Sequence, residues 1–295
     1  MGNKILIINC GAGGDILNCT PIVKHHKIVE PDCQITWLTS KKYVHILKNN
    51  KNIDNILIYE NIHTGDDLHS YVNMTFFIEQ NEKELFSKYD IVKFVAPYYY
   101  SLKNRIELSR QEDNLLNIIK YKTSGITNFA CDFIPNIFLT QEEKLEAQHF
   151  VKSINNDKNK FILLEYENFS NQSPFNLNYI KILCDFAEDR GYSIIFSGKN
   201  KPEYFDSLAK KYGIDIHFYN GSFMSNAELY NLVDMFIGCC SGLSCLTHSD
   251  FCDISKPRIE VTHGLHWSSF EWKHMQNKTI VTTIDQFKES LKNCI

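Results

Sequence analysis

The stretch NCGAGGDILNCTP, residues 9–21, places one carboxylate, Asp15, in a glycine-rich turn between a short apolar run and a segment of helical period. A carboxylate so placed is a candidate general base. In the first turn of a helix, negative charge is stabilised by unpaired backbone N–H groups and by the positive end of the dipole. Glycines at 11, 13 and 14 let the backbone approach a ligand closely, so the carboxylate is expected to face a cleft and not a wall of side chains. The plainer alternative is that Asp15 only caps the helix. Two other chemistries fail on spacing. A dinucleotide fingerprint counted from Gly11 needs a third glycine where Ile16 stands, and no Gly-Lys-Ser/Thr follows to make a phosphate-binding P-loop.

A second chemical signal lies in AELYNLVDMFIGCCSGLSCLTHS, which reads as a helix, a strand ending at Gly238, and a Ser-Gly turn opening another helix. Such a turn is suited to a diphosphate, whose oxygens accept from the free N–H groups. An anionic base in one half and an anion site in the other, facing each other across a cleft, would suit group transfer from a nucleotide-linked donor. The same stretch concentrates Cys239, Cys240, Cys245, His248 and Cys252, but their spacing matches no zinc knuckle or ribbon, so no metal site is expected. In VTHGLHWSSFEWKH, His263, His266 and Trp267 follow a predicted strand at its carboxyl end, where they would either meet a sugar or base or pack a loop. PYYY at 97–100 and TFF at 75–77 read as core or cleft lining, and Lys24 and Lys41 as a solvated face that could also meet an anionic acceptor.

These residues need a scaffold, and the hydrophobic pattern describes one. β-Branched runs alternate with helical-period segments, the signature of an α/β protein with parallel sheets. Strands are predicted at Ile5–Ile8, Gln34–Leu38, Asn55–Tyr59 and Ile91–Phe94, with helices between them. A second series follows: strands at Phe161–Glu165, Ser193–Ser197, Asp215–Phe218, Met235–Gly238, Arg258–Val261 and Thr279–Val281, with helices at Asn178–Asp189, Pro202–Lys210, Ala227–Leu232 and Ile284–Leu291. Between the series Thr140 and Glu143 form a capping-box pattern, and the polar run Asn155–Lys160 ends that helix. The expected division is two Rossmann-like doubly wound domains, residues 1–138 and 139–295, with ligand between them at the carboxyl ends of their strands.

Composition narrows the classes. The 295 residues are 43% hydrophobic, enough for a core in each domain, and the formal charge of −4 argues against nucleic-acid binding. The opening apolar run is too short for a signal sequence, and a cytoplasmic protein is expected. Ten cysteines without a CxxC pair are expected to be reduced thiols.

The motif KILIINCGAGGDILNCTPIV, with KNIDNILIY after it, resembles the opening of glycosyltransferase family 9, the bacterial heptosyltransferases. The resemblance covers the first sixty residues well and returns more loosely from Thr140 to Thr262, while residues 60–135 carry little of it. It implies the two-domain GT-B fold and inverting transfer of heptose or a related sugar from a nucleotide sugar, with no cofactor or metal. It makes Asp15 the general base. It places the donor diphosphate at Ser241 and Gly242, with Ser244 and Thr247 on the helix behind. Gly13 and Gly14 of the first turn are counted with the donor contacts, as is His263, and Met224 and Glu203 fall near positions that meet the donor nucleoside. The chain departs from the family at Cys240, where an acidic residue is usual, at Cys245, where histidine is common, and at Ser173, where a basic residue is expected before an aromatic position held by Phe175.

The function expected from all this is transfer of a sugar from a nucleotide-sugar donor, ADP-linked among the candidates, to a hydroxyl of a glycan, lipid-linked or protein acceptor. Membrane contact would be peripheral at most, at the inner face. Two rivals stay open: a non-catalytic nucleotide- or glycan-binding homologue whose donor site has decayed, and another GT-B enzyme such as a sugar epimerase.

Overall fold

The computed structural model describes residues 2–59, 67–95, 99–101, 106–108, 124–154, 160–167, 173–263 and 277–294. The chain divides into two compact units, Met1–Phe138 and Leu139–Ile295.

In the first unit, β1 (Lys4–Ile8), β2 (Gln34–Ser40), β3 (Asn55–Tyr59) and β4 (Ile91–Phe94) form an all-parallel sheet in the order β3-β2-β1-β4. Helices α1 (Gly13–Val29), α2 (Val44–Leu47) and α3 (Asp67–Lys88) connect the strands. β1 is buried along Ile5, Leu6, Ile7 and Ile8, as a strand covered on both faces must be. A two-stranded antiparallel ribbon, β5 (Tyr99–Ser101) with β6 (Ile106–Leu108), was not expected from the sequence, because three-residue strands show too little alternation to be read.

α1 carries a proline in its interior, and its neighbour compensates. Pro21 has no N–H to give the carbonyl of Leu17, and the Thr20 hydroxyl donates to that carbonyl instead at 2.7 Å. The same Thr20 oxygen accepts the Asn136 N–H at 2.8 Å, fastening the end of the first unit to α1. The Thr-Pro pair is thus a structural device.

The second unit opens with α4 (Gln141–Ile154), and the capping box is present: Glu143 N–H donates to Thr140 Oγ1 at 3.1 Å and Thr140 N–H to Glu143 Oε2 at 2.7 Å. Strands β7 (Lys160–Glu165), β8 (Tyr192–Ser197), β9 (Ile216–Tyr219), β10 (Met235–Gly238), β11 (Arg258–Val261) and β12 (Lys278–Val281) form a second parallel sheet in the order β12-β11-β10-β7-β8-β9. Its helices are α5 (Leu177–Arg190), α6 (Phe205–Tyr212), α7 (Ser225–Leu232), α8 (Gly242–Leu246) and α9 (Ile284–Asn293). Alternate residues Ile162, Leu164, Ile194, Phe196, Met235, Ile237, Ile259 and Val261 share one face and pack in one core with Leu183, Leu208, Phe287 and Leu291 of the helices. α6 begins at Phe205 and not at Pro202, because Phe205 N–H closes a turn on the Pro202 carbonyl at 3.0 Å.

Both sheets use the same device to fix register. Asp90, Asp54 and Asp234 each stand one residue before a strand. Their carboxylates accept the N–H of Lys4, Ile35 and Phe161 on the adjacent strand at 2.8, 2.7 and 2.8 Å. Each of these amides, the first or second of its strand, thereby gains an acceptor.

Each sheet also has a point at which the order of the strands reverses. In the first unit it lies between β1 and β4, and in the second between β7 and β10. Ligands of open parallel sheets bind outside the carboxyl ends of the strands at such points. The residues that follow β1 are the GAGGD turn, and those that follow β10 are Cys239, Cys240 and Ser241.

Candidate active site

The turn of the first unit is built by Asn9, which sequence reasoning missed. Asn9 is fully buried directly after β1; its Oδ1 accepts the Gly11 N–H at 2.9 Å, and its Nδ2 donates to the Asp15 carbonyl at 3.4 Å and meets Cys19 Sγ at 3.1 Å. One amide side chain therefore spans the turn and sets where α1 starts. The N-cap is Ala12, whose side chain can cap nothing, and Asp15 is the third helical residue. Asp15 is consequently in the first turn but is not the N-cap.

Two features of this turn were not visible in the sequence. Asp15 is only 5% exposed, so its carboxylate is not openly presented. Gly13 has a packing reason to lack a side chain: a Cβ there would lie 3.1 Å from Ile46 Cδ1 and 3.6 Å from the Tyr43 ring, both from the α2 region. The bare backbone at Gly13 is thus occupied by the protein's own side chains. Gly14 is buried in the same turn.

The turn of the second unit is organised by a residue that the sequence pattern did not single out, Glu165, at the carboxyl end of β7. It follows Leu164, the register partner of Ile237 on β10, and is buried. Its carboxyl collects the turn's donors: Ser241 Oγ on Oε1, and Ser244 Oγ at 3.1 Å and Cys239 N–H at 3.3 Å on Oε2. The Cys239 thiol also donates to the Glu165 carbonyl at 2.9 Å. Burial lifts the Glu165 pKa to about 7, against the three hydrogen bonds that favour the charged form, and Glu260 pushes in the same direction as burial.

Cys240 has φ 56°, in the left-handed region where a residue with a side chain is strained by roughly 1–2 kcal/mol. Ser241 follows as N-cap of α8, its Oγ accepting the Leu243 N–H at 3.3 Å. Gly242 and Ser244 stand in the first turn, whose N–H groups have no carbonyl four residues back within the helix. α8 is five residues long, so any anion held there would be bound by these N–H groups and only weakly by a macrodipole. A side chain at Gly238 would collide with Phe236 Cε1 at 2.5 Å and Ser244 Oγ at 2.6 Å, which explains glycine there.

The other expected donor residues divide. Ser173 is 3% exposed, is hydrogen-bonded to the Cys239 thiol, and accepts the Phe175 N–H at 3.2 Å, which brings it to the turn. Cys240 and Cys245 are buried within the turn and α8. Met224 is 1% exposed at the start of α7, packed into the unit and not presented to a ligand. Glu203 is exposed just before α6, and His263 is exposed after β11. His266 and Trp267 lie outside the described residues. Among the described residues no group of three or more His, Cys, Asp or Glu side chains is placed to hold a metal, and the described cysteines are free thiols.

Behind α8 lies a buried ionic cluster. Arg258 Nη2 pairs with Glu260 Oε1 at 2.8 Å and donates to Thr247 Oγ1 at 2.7 Å, while Nη1 reaches the Thr247 carbonyl at 3.1 Å. Lys278 Nζ lies 3.2 Å from Glu260 Oε2, and His248 Nε2 lies 3.3 Å from Glu260 Oε1. Glu165 thus binds the beginning of α8, and Arg258 takes carbonyls at its end.

Compared by sequence, no family model and no curated protein matches the chain. Compared by structure, it is similar over nearly its whole length to a family 9 glycosyltransferase from Veillonella parvula, with TM-score 0.67 at 15% identity over 99% of this chain and 91% of that one. It has the fold of these glycosyltransferases. A second similar structure is E. coli ADP-heptose heptosyltransferase II, at TM-score 0.61, 12% identity, and 99% and 98% coverage. A third is the E. coli heptosyltransferase WaaC with ADP-2-deoxy-2-fluoro heptose, at TM-score 0.56, 13% identity, and 98% coverage of both chains. The iron-containing dodecameric glycosyltransferase TibC from enterotoxigenic E. coli matches at TM-score 0.56 and 11% identity, over 96% of this chain and 63% of TibC. The two-unit α/β architecture expected from the residue pattern is therefore the GT-B fold that the motif resemblance implied. Among the described residues no helix is long and apolar enough to cross a membrane.

Proposed function

We propose that the chain is an inverting, metal-independent glycosyltransferase of the heptosyltransferase kind, moving a sugar from a nucleotide-sugar donor to a hydroxyl of a glycan, lipid-linked or protein acceptor. One observation carries this: each sheet places a chemically distinct turn at the reversal of its strand order, Asp15 after β1 and the Ser241–Gly242 turn after β10. In the reaction, Asp15 takes the proton of the acceptor hydroxyl while its oxygen attacks the anomeric carbon. The bond from that carbon to the diphosphate breaks with its electron pair leaving on the diphosphate. N–H groups of Gly242 and Ser244 stabilise the departing charge. The setting of Asp15, 5% exposed, keeps bulk water from competing with the acceptor. The reaction is assigned to the cytoplasm, at or near the inner membrane face when the acceptor is lipid-linked.

The test is nucleotide release from ADP-, UDP-, GDP- and CMP-linked sugars with and without candidate acceptors, together with calorimetric titration of each donor. With Cys240, Cys245 and Ser173 where charged or imidazole side chains are usual, each absent charge-assisted bond removes roughly 1.5–3 kcal/mol. The expected result is binding of ADP-heptose weaker than that of a heptosyltransferase such as WaaC, or preference for another nucleotide sugar. Tight, selective binding of ADP-heptose would reject the altered-donor part alone. Activity is expected to be unchanged in EDTA, because N–H groups and not a cation take the diphosphate charge; loss in EDTA with recovery on adding magnesium, manganese or iron would overturn that assignment.

The second reading, a non-catalytic binding homologue, is favoured by one observation: the Glu165 carboxyl already engages both Ser241 and Ser244. Binding of a donor without turnover on any acceptor would establish it.

A further inference from the structure

We propose that Glu165 is the positioning residue of the donor turn, holding residues 239–244 in the one arrangement that leaves the Gly242 and Ser244 N–H groups directed at a ligand. This deepens the glycosyltransferase reading and rests on it. The residue belongs to a different strand from the turn, 74 positions from Cys239 and 79 from Ser244, so its contacts are made by the fold and not by the local chain. It is buried, and both carboxyl oxygens are used by the turn: Oε1 by Ser241, Oε2 by Ser244 and the Cys239 N–H. Those three partners bracket Cys240, the residue in the left-handed backbone region.

A strained backbone persists only when its surroundings over-determine it. Cys240 lacks the freedom of glycine, and the five residues of α8 are too few to be stable alone, so the turn needs an external anchor. Glu165 anchors the side before Cys240 through the Cys239 N–H and thiol, and the side after it through two serine hydroxyls. Gly238 allows the close packing, since any Cβ would displace Ser244 Oγ. Replacing Glu165 with a short apolar side chain frees three donors at once, the Ser241 and Ser244 hydroxyls and the Cys239 N–H, and lets the turn relax from the geometry that a diphosphate requires.

The same placement has an electrostatic consequence. With the carboxyl pKa lifted to about 7 by burial, Glu165 is neutral below that pH and negative above it. A negative charge behind an anion site weakens anion binding, so diphosphate affinity falls as pH rises through about 7. Among the described residues, Glu260 on β11 and the Cys239 thiol act on it, Cys240 adjoins that thiol, and Arg258 on β11, Lys278 on β12 and His248 after α8 surround Glu260. None of them is removed by Glu165→Gln, so that variant isolates the carboxyl.

The experiment is calorimetric titration of the full chain and its Glu165→Gln and Glu165→Ala variants with ADP-ribose, UDP-glucose and GDP-mannose at pH 6 and 8.5. These diphosphates are doubly esterified and do not themselves titrate there. Hydrogen exchange is followed at amides 239–247. The parent is expected to bind at least one probe and to lose affinity about tenfold between the two pH values. Glu165→Gln, which keeps the shape, should bind within threefold of the pH 6 parent at both. Glu165→Ala should bind at least tenfold more weakly at both, with faster exchange at 239–247 and unchanged exchange in α9 and β9. Parent binding that both variants reproduce, with the pH response intact in Gln, overturns the role of Glu165 alone. Should the Ala variant not fold, the Gln variant decides through its pH response. A folded parent that binds none of the three probes overturns both this role and the donor-binding reading beneath it.

Discussion

Asp15→Asn is expected to lower glycosyl transfer by about a hundredfold or more and to leave donor affinity within threefold of the parent. The amide matches the carboxylate in size, so the contacts that shape the turn, Asn9 Oδ1 to the Gly11 N–H and Asn9 Nδ2 to the Asp15 carbonyl, are untouched. What is removed is the proton acceptor. The alternative role predicts a different pattern. A carboxylate that only offsets the helix dipole contributes about 0.3–1 kcal/mol to stability and nothing specific to turnover. Ala12, and not Asp15, occupies the N-cap, and the unfolding measurement separates whatever the carboxylate contributes to stability from its effect on turnover. The measurement is single-turnover transfer with the donor that the binding panel identifies, alongside urea unfolding of both proteins. Equal turnover within threefold would remove Asp15 from the mechanism and leave it a structural residue. An equal loss of donor binding would instead show that the substitution disturbs more than a proton.

Much of the scaffold was legible because strands of these parallel sheets are dense in β-branched and apolar residues, even in the half-exposed edge strand β3. The strands at Asn55–Tyr59, Ile91–Phe94, Met235–Gly238 and Arg258–Val261 have the bounds that the β-branched pattern gave. The Thr140–Glu143 box was legible because its partners are three residues apart and both bonds are local. The aspartates before strands, Asp54, Asp90 and Asp234, could have been read in the same way but were not, since each seals a strand distant in sequence. The site followed the same division. Asp15 and Ser241 announce themselves through neighbouring glycines, whereas Glu165 looks like the polar end of a strand until β10 is laid beside β7. A carboxylate at the carboxyl end of a central strand was the available signal, and Asn9, directly after β1, was its counterpart in the first unit. What surrounds Gly13 and Met224 was not legible at all: Ile46 and Tyr43 crowd the place of a Cβ at Gly13, and Met224 is buried in the second unit, contacts made by residues distant in sequence.

Glu260→Ala is expected to destabilise the second unit by about 3–5 kcal/mol, the cost of leaving buried charge without its counter-ion. Glu260 is fully buried and accepts from Arg258 at 2.8 Å, with Lys278 Nζ at 3.2 Å and His248 Nε2 at 3.3 Å. Removing it strands the Arg258 guanidinium, itself fully buried above the rings of Phe236 and Tyr230 with centroid distances of 5.1 and 5.8 Å. Arg258 keeps its bonds to Thr247, so the end of α8 is held by a cation that has lost its charge partner. Lys278 adds to the effect, because burial already lowers its pKa and Glu260 is the main group that opposes that shift. Replacing both members of the central pair, Arg258→Met with Glu260→Leu, is expected to cost less than Glu260→Ala alone, since no charge of the pair is left unmatched, although Lys278 and the carbonyls at the end of α8 still lose partners. Urea unfolding of the three proteins at pH 7 measures this directly, and the two-state slope must stay constant for the comparison to hold. A Glu260→Ala loss under 1 kcal/mol would mean that water enters the cluster and screens it. A double variant less stable than the single one would mean that the carbonyl bonds of Arg258, and not its charge, are what α8 needs.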